Sequence, residues 1–362
     1  MSAGKVYRAI GLMSGTALDG EIDVALIETN GQDYVRALDF YAHPYDVSVR
    51  DKVRACLGAR EVNADVREAE ALVTGLHIDA VKASGFEGDV IGFHGQTITH
   101  APEDGFTWQI GDGEVLAKAC GMDVVADMRQ ADIKAGGQGA PLLPFYHKAR
   151  VSGFMDDVVI LNIGGVANIT HINMNDDVLA FDCGPGNALM DDFVRLRTGE
   201  AFDRDGTIAA KGRVHKGLVK RWLDHSYFTI RGAKSLDRNN WRVDGDGDMA
   251  HGLADLSDAD GLATLMEFTV QAIQLVETYI ASERVRWFAC GGGRHNNALM
   301  QRLNAVLSGG VKPVEDLGWN GDATEAEGFA YLAVRSLLGL PLTLPRTTGV
   351  AKPITGGVYH RA

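Results

Sequence analysis

Short apolar runs, each followed by a polar or glycine-rich turn, recur along the chain. Residues 7–12, 22–28, 89–93, 158–163, 169–172, 178–181 and 287–290 are such runs and predict strands. Other stretches carry a helical period. Between 258 and 282, Leu262, Leu265, Met266, Thr269, Ile273, Val276 and Ile280 recur every three or four residues and form one apolar face. Residues 296–307, 323–338 and 64–84 are further amphipathic helix candidates, the last weakened by Gly75. Strands alternating with helices predict α/β architecture with a largely parallel sheet. Two segments echo one another: residues 7–28 and 158–172 both read as strand, polar turn, strand, with Gly, Ser, Thr or Asn at the tip. The tail 348–362, carrying GGVYH, is expected to return as an edge strand of the first domain. The expected division is a first lobe of 1–128 plus 349–362 and a second of 129–348, with the boundary near the Gly-rich stretch 135–140.

Composition narrows the function classes. The 362 residues are 46% hydrophobic and 23% charged, enough apolar mass for two cores and too much for a disordered chain. A net charge of −13 without a basic tract argues against nucleic acid and against an anionic membrane surface. No apolar stretch approaches the ~20 residues that span a bilayer. The opening MSAGKVYRAIGLMSG lacks the long apolar core of a leader, so a cytoplasmic protein is expected. Cys56, Cys120, Cys183 and Cys290 are scattered, which predicts isolated thiols rather than a metal or disulfide framework.

The 44 glycines cluster directly after apolar runs, which predicts backbone passing close to a ligand. In GLMSGTALDG (11–20), successive N–H groups around Gly15, Thr16 and Ala17 suit an anion, and Asp19 suits Mg²⁺ through water. An ordinary hairpin loop is the alternative there. LNIGGVAN (161–168) places Gly164, Gly165 and Asn168 at the second tip. In CGGGRHN (290–296), Gly291, Gly292, Gly293 and Asn296 suit a flat adenine or ribose before a helix start; a flexible turn is the alternative. FDCGPGN (181–187) sets Asp182 at a strand end, where a carboxylate can take a proton from a hydroxyl or from water, or else cap the turn. GFHGQT (92–97) with Gln96, and Arg129 before AGGQGAPL (135–142), read as sugar-handling surfaces. Lys234 in KSLDR (234–238) reads as part of a lid, and Glu325 as either a dipole-favoured surface acid or a second active-site carboxylate.

Together, two strand–turn–strand clamps, a GGG turn and an Asp at a strand end resemble the actin and hexokinase superfamily of ATPases. That implies a two-lobed, ribonuclease H-like α/β fold with the active site in the cleft between lobes. GLMSGT, FHGQT, QIGD, AGGQGAPL, NIGGVANIT, FDCGPGN and CGGGRHN, in that order, are similar to the anhydro-N-acetylmuramic acid kinase family. The resemblance implies an enzyme of cell-wall recycling that consumes ATP, water and 1,6-anhydro-N-acetylmuramic acid, with Mg²⁺ as cofactor. It also implies a homodimer. By motif, Asp182 would be the base and Glu325 would help place sugar and water. Arg129 would bind the lactyl carboxylate; Gln96 and Lys234 are expected on the substrate from the reading of their own stretches. The stretch Gly15, Thr16, Ala17, Leu18, Asp19, Gly20 would clamp phosphate. The chain departs from the family wording at Ala17, where Ser is usual, and in its KSLDRNNW stretch. The rival expectations are another sugar or carboxylate kinase of the superfamily, or an ATP-dependent sensor.

Overall fold

The computed structural model describes residues 5–15, 20–237, 240–280, 282 and 284–362. The chain divides into two compact units, Met1–Gly153 with Asp322–Ala362, and Phe154–Gly321. Residues 129–153 and 322–348, expected in the second lobe, therefore belong to the first unit. The reason is packing: helix Thr324–Leu337 lies on the first unit's sheet and against helix Pro144–Arg150.

The first unit holds strands β1 (Tyr7–Met13), β2 (Glu21–Thr29), β3 (Val35–Pro44), β4 (Val90–Phe93), β5 (Gln96–Ala101), β6 (Phe106–Ile110) and β7 (Val124–Ala126). The second holds β8 (Asp157–Ile163), β9 (Val166–Ile172), β10 (Val178–Pro185), β11 (Val285–Cys290) and β12 (Val311–Pro313). The tail returns to the first unit as β13 (Val358–His360), an edge strand antiparallel to β7, as its pattern predicts. The two large sheets run in the orders β13-β7-β4-β1-β2-β3 and β10-β9-β8-β11-β12. In each, three strands form an antiparallel meander and the next two join in parallel. The sheets are thus mixed rather than largely parallel: tight turns link the first three strands, and only later connections pass through helices. This shared order is the duplicated, actin-like arrangement.

Alternate positions of β1 face different layers, as strand geometry requires. Ile10 and Leu12 pack with Ala80, Val81 and Leu116. Ala9 and Met13 pack with Ala326, Phe329 and Ala330. The second side is built from small residues, which lets a helix come close. A methyl at Gly11 would overlap the Ala326 carbonyl, and one at Gly92 the Phe329 carbonyl. Helix Thr324–Leu337 is thereby pressed across β1 and β4, with its first turn toward their carboxyl ends. Helix Ala64–Ser84 runs unbroken through Gly75, started by the Asn63 side chain accepting from Val66 N and ended by Gly85 in the left-handed region. Helix Asp258–Gln274 is shorter than its periodicity suggests, because the chain tightens into a 3₁₀ turn over Leu275–Thr278.

Candidate active site

In the second unit the carboxylate of FDCGPGN lies inside a strand rather than beyond its end. β10 bulges between Asp182 and Gly184, and such bulges re-aim side chains. Register places Asn168 opposite Asp182 and Asn162 opposite Asn168, so three polar side chains share one level across β10, β9 and β8. Asp182 is 6% exposed and held from several sides. Its N–H donates to Lys234 O at 3.0 Å, its carbonyl accepts from the Tyr227 hydroxyl at 2.6 Å, and its Oδ2 accepts from Leu236 N–H at 2.8 Å. A carboxylate so fixed has one defined orientation, which proton transfer needs.

The glycines around it serve packing first. Gly186 N–H and Asn187 N–H donate to Gly165 and Gly164 carbonyls at 2.9 and 2.8 Å, and a methyl at Gly186 would overlap the Gly164 oxygen. The β8–β9 tip is therefore tied to the start of helix Ala188–Thr198. In the GGG turn the three residues divide their roles. Side chains at Gly291 and Gly293 would collide with Asn162 and Ile163, so these two glycines seat the turn on β8. Only Gly292 faces open space, with nothing within 4 Å of a methyl there. Asn296 caps helix Asn297–Val306, its side-chain oxygen accepting from Leu299 N–H at 3.0 Å. Of the three glycines in this turn, Gly292 alone would leave a side chain in open space.

Lys234 differs most from its expected lid position. It is 4% exposed, and its Nζ donates to Tyr227 O at 3.1 Å beneath the rings of Tyr227, Phe181 and Tyr279. The ammonium points into the unit, so the side chain braces the loop instead of reaching outward. Burial pushes its pKa down to about 8.

In the first unit the polar groups gather at the carboxyl ends of β1, β4 and β7. Ser14 follows β1; its hydroxyl is buried and has no hydrogen-bond partner among the described residues. A buried donor beside Gly15 fits a phosphate oxygen. Thr16, Ala17, Leu18 and Asp19 lie outside the described residues, and Gly20 begins the return with its carbonyl accepting from Tyr45 N–H at 2.7 Å. Glu325 sits half-buried in the first turn of helix Thr324–Leu337, where the helix dipole favours a carboxylate.

Gln96 opens β5 and is buried, its amide nitrogen 3.5 Å from Thr97 O. Arg129 is shaped by two neighbours: its Nε donates to His94 Nε2 at 3.1 Å and one terminal nitrogen donates to Gly139 O at 2.7 Å. Burial, then the Arg129 charge, hold the His94 imidazole well below its usual pKa, so it stays a neutral acceptor. His100 behaves likewise, pushed down to about 4 by burial and then Arg129. Gly139 is placed by Asp132, whose Oδ1 accepts from Gly139 N–H at 2.7 Å and whose Oδ2 accepts from the Thr348 hydroxyl at 2.6 Å. Asp132 and Tyr227 were invisible as site supports in the sequence. Asp132 stands three residues from Arg129, a spacing that carries no signal alone, and Tyr227 is 45 residues from Asp182.

The sequence matches the anhydro-N-acetylmuramic acid kinase family over residues 7–361. The chain belongs to that family. An anhydro-N-acetylmuramic acid kinase of Rhizorhabdus wittichii is 46% identical over 367 residues, covering 98% of each chain. One from Rhodospirillum rubrum is 44% identical, covering 100% of this chain and 96% of its own. Among solved structures, the activator of the 2-hydroxyisocaproyl-CoA dehydratase from Clostridium difficile with bound ADPNP aligns with a TM-score of 0.44 at 11% identity, covering 90% of this chain and 94% of its own. Like the rest of the family, this chain is a phosphotransferase. Among the described residues no group of three His, Cys, Asp or Glu is placed to hold a metal, and no helix is long and apolar enough to cross a membrane.

Proposed function

We propose that this chain converts 1,6-anhydro-N-acetylmuramic acid, ATP and water into N-acetylmuramic acid 6-phosphate and ADP, a step of peptidoglycan recycling in the cytoplasm. Asp182 acts as base. Its carboxylate takes a proton from a water whose oxygen attacks the anomeric carbon. The bond from that carbon to the 6-oxygen breaks, and the freed 6-oxygen attacks the γ-phosphorus as ADP leaves. The ring-opening half resembles glycoside hydrolysis with inversion, where one carboxylate activates water. The phosphoryl half needs positioning and charge neutralisation more than covalent help from the protein.

The other groups follow from their chemistry. Glu325 orients sugar and water from its helix start. Arg129, with Nε committed to His94, offers its remaining N–H groups to the lactyl carboxylate, and Gln96 adds an amide. Ser14 and the stretch Gly15–Gly20 receive the phosphates, and Gly292 leaves room for the nucleoside. Mg²⁺ would neutralise phosphate charge when bound with ATP, with Asp19 as the residue of the turn that suits it through water. Among the described residues no three His, Cys, Asp or Glu side chains gather as metal ligands. A homodimer is part of the same reading.

The observation that carries this proposal is Asp182 held rigidly at a bulge by Leu236, Lys234 and Tyr227. Mass spectrometry of the product made in ¹⁸O-water tests it. One label on the anomeric oxygen, with unlabelled phosphate on the 6-oxygen, is the expected result. Label in the phosphate, or none in the sugar, would overturn the mechanism.

A further inference from the structure

The loop that carries Lys234 touches Asp182 twice. Lys234 O accepts from Asp182 N–H at 3.0 Å, and two residues on Leu236 N–H donates to Asp182 Oδ2 at 2.8 Å. The Lys234 side chain anchors that loop. Its Nζ donates to Tyr227 O at 3.1 Å and stands 4.4 Å from the Tyr227 ring centroid. The centroids of Phe181 and Tyr279 are each 5.5 Å away. Tyr227 also donates its hydroxyl to Asp182 O at 2.6 Å, and Phe181 precedes Asp182 in the chain. One of the rings that cage the ammonium, Tyr227, thus also holds the Asp182 backbone, and a second, Phe181, is its chain neighbour.

We propose that the caged Lys234 ammonium is a positioning group for Asp182: it pins the loop so that the Leu236 N–H aims the carboxylate. The inference rests on the reading of Asp182 as the base. Lys234 touches no reacting atom in it; the effect passes through the loop backbone.

Charge is the part of this device that can be switched. The cage rings attract a cation through their electron-rich faces, and an uncharged amine forfeits that attraction. Around Nζ stand Asp182 and Cys183 from β10, Arg231 from its own loop, and the phenols of Tyr227 and Tyr279. Burial lowers the Lys234 pKa most, Arg231 lowers it further, and Cys183 and Asp182 act in the opposite sense, leaving it at about 8. Burial raises the Cys183 thiol and the Tyr227 phenol, so both remain neutral where Lys234 titrates.

Stability moves in the opposite direction. The folded pKa of about 8 lies below the ordinary 10.5, so between these values the unfolded chain binds the additional proton. Lys234's contribution to stability therefore rises with pH across that window, while its hold on Asp182 weakens. The stability trend follows from the lowered pKa of any lysine so buried; the fall in kcat is the part that a merely structural lysine would not give.

The test measures kcat, both KM values and thermal midpoints of the full chain from pH 6.5 to 10, for wild type, Lys234→Arg and Lys234→Met, with Asp182→Asn alongside. Wild-type kcat is expected to fall roughly threefold to tenfold above about pH 8, the scale of one desolvated cation–π contact, with KM little changed. Lys234→Arg keeps its charge and moves that limb out of the range. Lys234→Met has a lowered kcat at neutral pH, lacks the limb, and loses the alkaline gain in midpoint relative to wild type. If Lys234→Met does not fold, the profile of Lys234→Arg against wild type decides. A limb unmoved by substitution, with Asp182→Asn inactive, overturns the positioning role of Lys234 alone. Turnover retained by Asp182→Asn overturns the base assignment and that role with it.

Discussion

The two units repeat one strand order but place their polar residues differently. In the first, groups proposed to meet sugar or phosphate lie where strands end: Gln96 beyond β4, Arg129 beyond β7, Ser14 beyond β1. Arg129 is braced by a neutral imidazole and a backbone carbonyl. In the second, the decisive group lies within a strand, at a bulge, and is fixed by a backbone N–H and a buried cation's loop. Connecting segments suit recognition because they can vary while the scaffold holds. A proton-transfer group needs tighter placement, which an element of the scaffold provides. On the proposed function, the chemistry belongs to the second unit and sugar recognition mainly to the first.

The largest effect that would break this division is Asp182→Asn. Turnover should fall by roughly 10²–10⁴ or more while ATP affinity, read by calorimetry, stays near wild type. Retained turnover would move the chemistry elsewhere.

Glycine substitutions come next, because the units use close approach for different contacts. Gly11→Ala forces a methyl onto the Ala326 carbonyl, a backbone atom that cannot swing away. We expect a loss of about 3 kcal/mol or more, at or above the usual cost of overpacking, read as a lowered urea midpoint. Gly292→Ala meets nothing within 4 Å and should change stability by less than about 0.5 kcal/mol, while raising KM for ATP. Equal destabilisation by both would refute the separation of packing glycines from the ligand-facing one.

Periodicity made much of this fold legible. Helix Ala64–Ser84, both hairpins and the returning tail strand stand where the pattern puts them. β3 escaped because most of its side chains are exposed or half-buried, so Val35–Pro44 shows no apolar run. The hairpin β5–β6 hides in a polar stretch of Thr, His and Gln. The unit boundary escaped because helix Thr324–Leu337 packs on strands some 300 residues earlier, which no local signal can show. For the site, glycine clusters located the turns but not each glycine's duty: Gly186, Gly291 and Gly293 relieve backbone crowding. Lys234 reads as a surface lid residue until the aromatic rings gather around it from distant positions.

A smaller effect sharpens the recognition half. Arg129→Met should raise KM for the anhydro sugar roughly tenfold to a hundredfold, the worth of charged hydrogen bonds, with a lesser change in kcat. A kcat loss equal to that of Asp182→Asn, with KM unchanged, would place Arg129 in the chemistry instead.

The smallest effect separates the units by acid sensitivity. The first unit buries His77, His94 and His147 and half-buries His100, all neutral. Burial pushes His77 and His100 down to about 4 and His147 to about 3. For His77 the Nδ1 lies 2.7 Å from Val73 O, while Nε2 is buried without a partner among the described residues, so a second proton there gains nothing. The ordinary imidazole pKa is 6.5, above the folded value. The unfolded chain therefore takes up protons first, and stability present above pH 6.5 is lost as pH falls toward 4. At about pH 5.5 the loss from one such histidine is on the order of 1 kcal/mol. Urea titrations at pH 7.5 and 5.5 should show His77→Leu losing less stability on acidification than wild type, by about that amount. Hydrogen exchange, corrected for intrinsic pH dependence, should show protection falling earlier in helix Ala64–Ser84 than in helix Asp258–Gln274. Equal acid sensitivity of the two helices, with His77→Leu indistinguishable from wild type, would mean that the buried imidazoles do not set the first unit's acid limit.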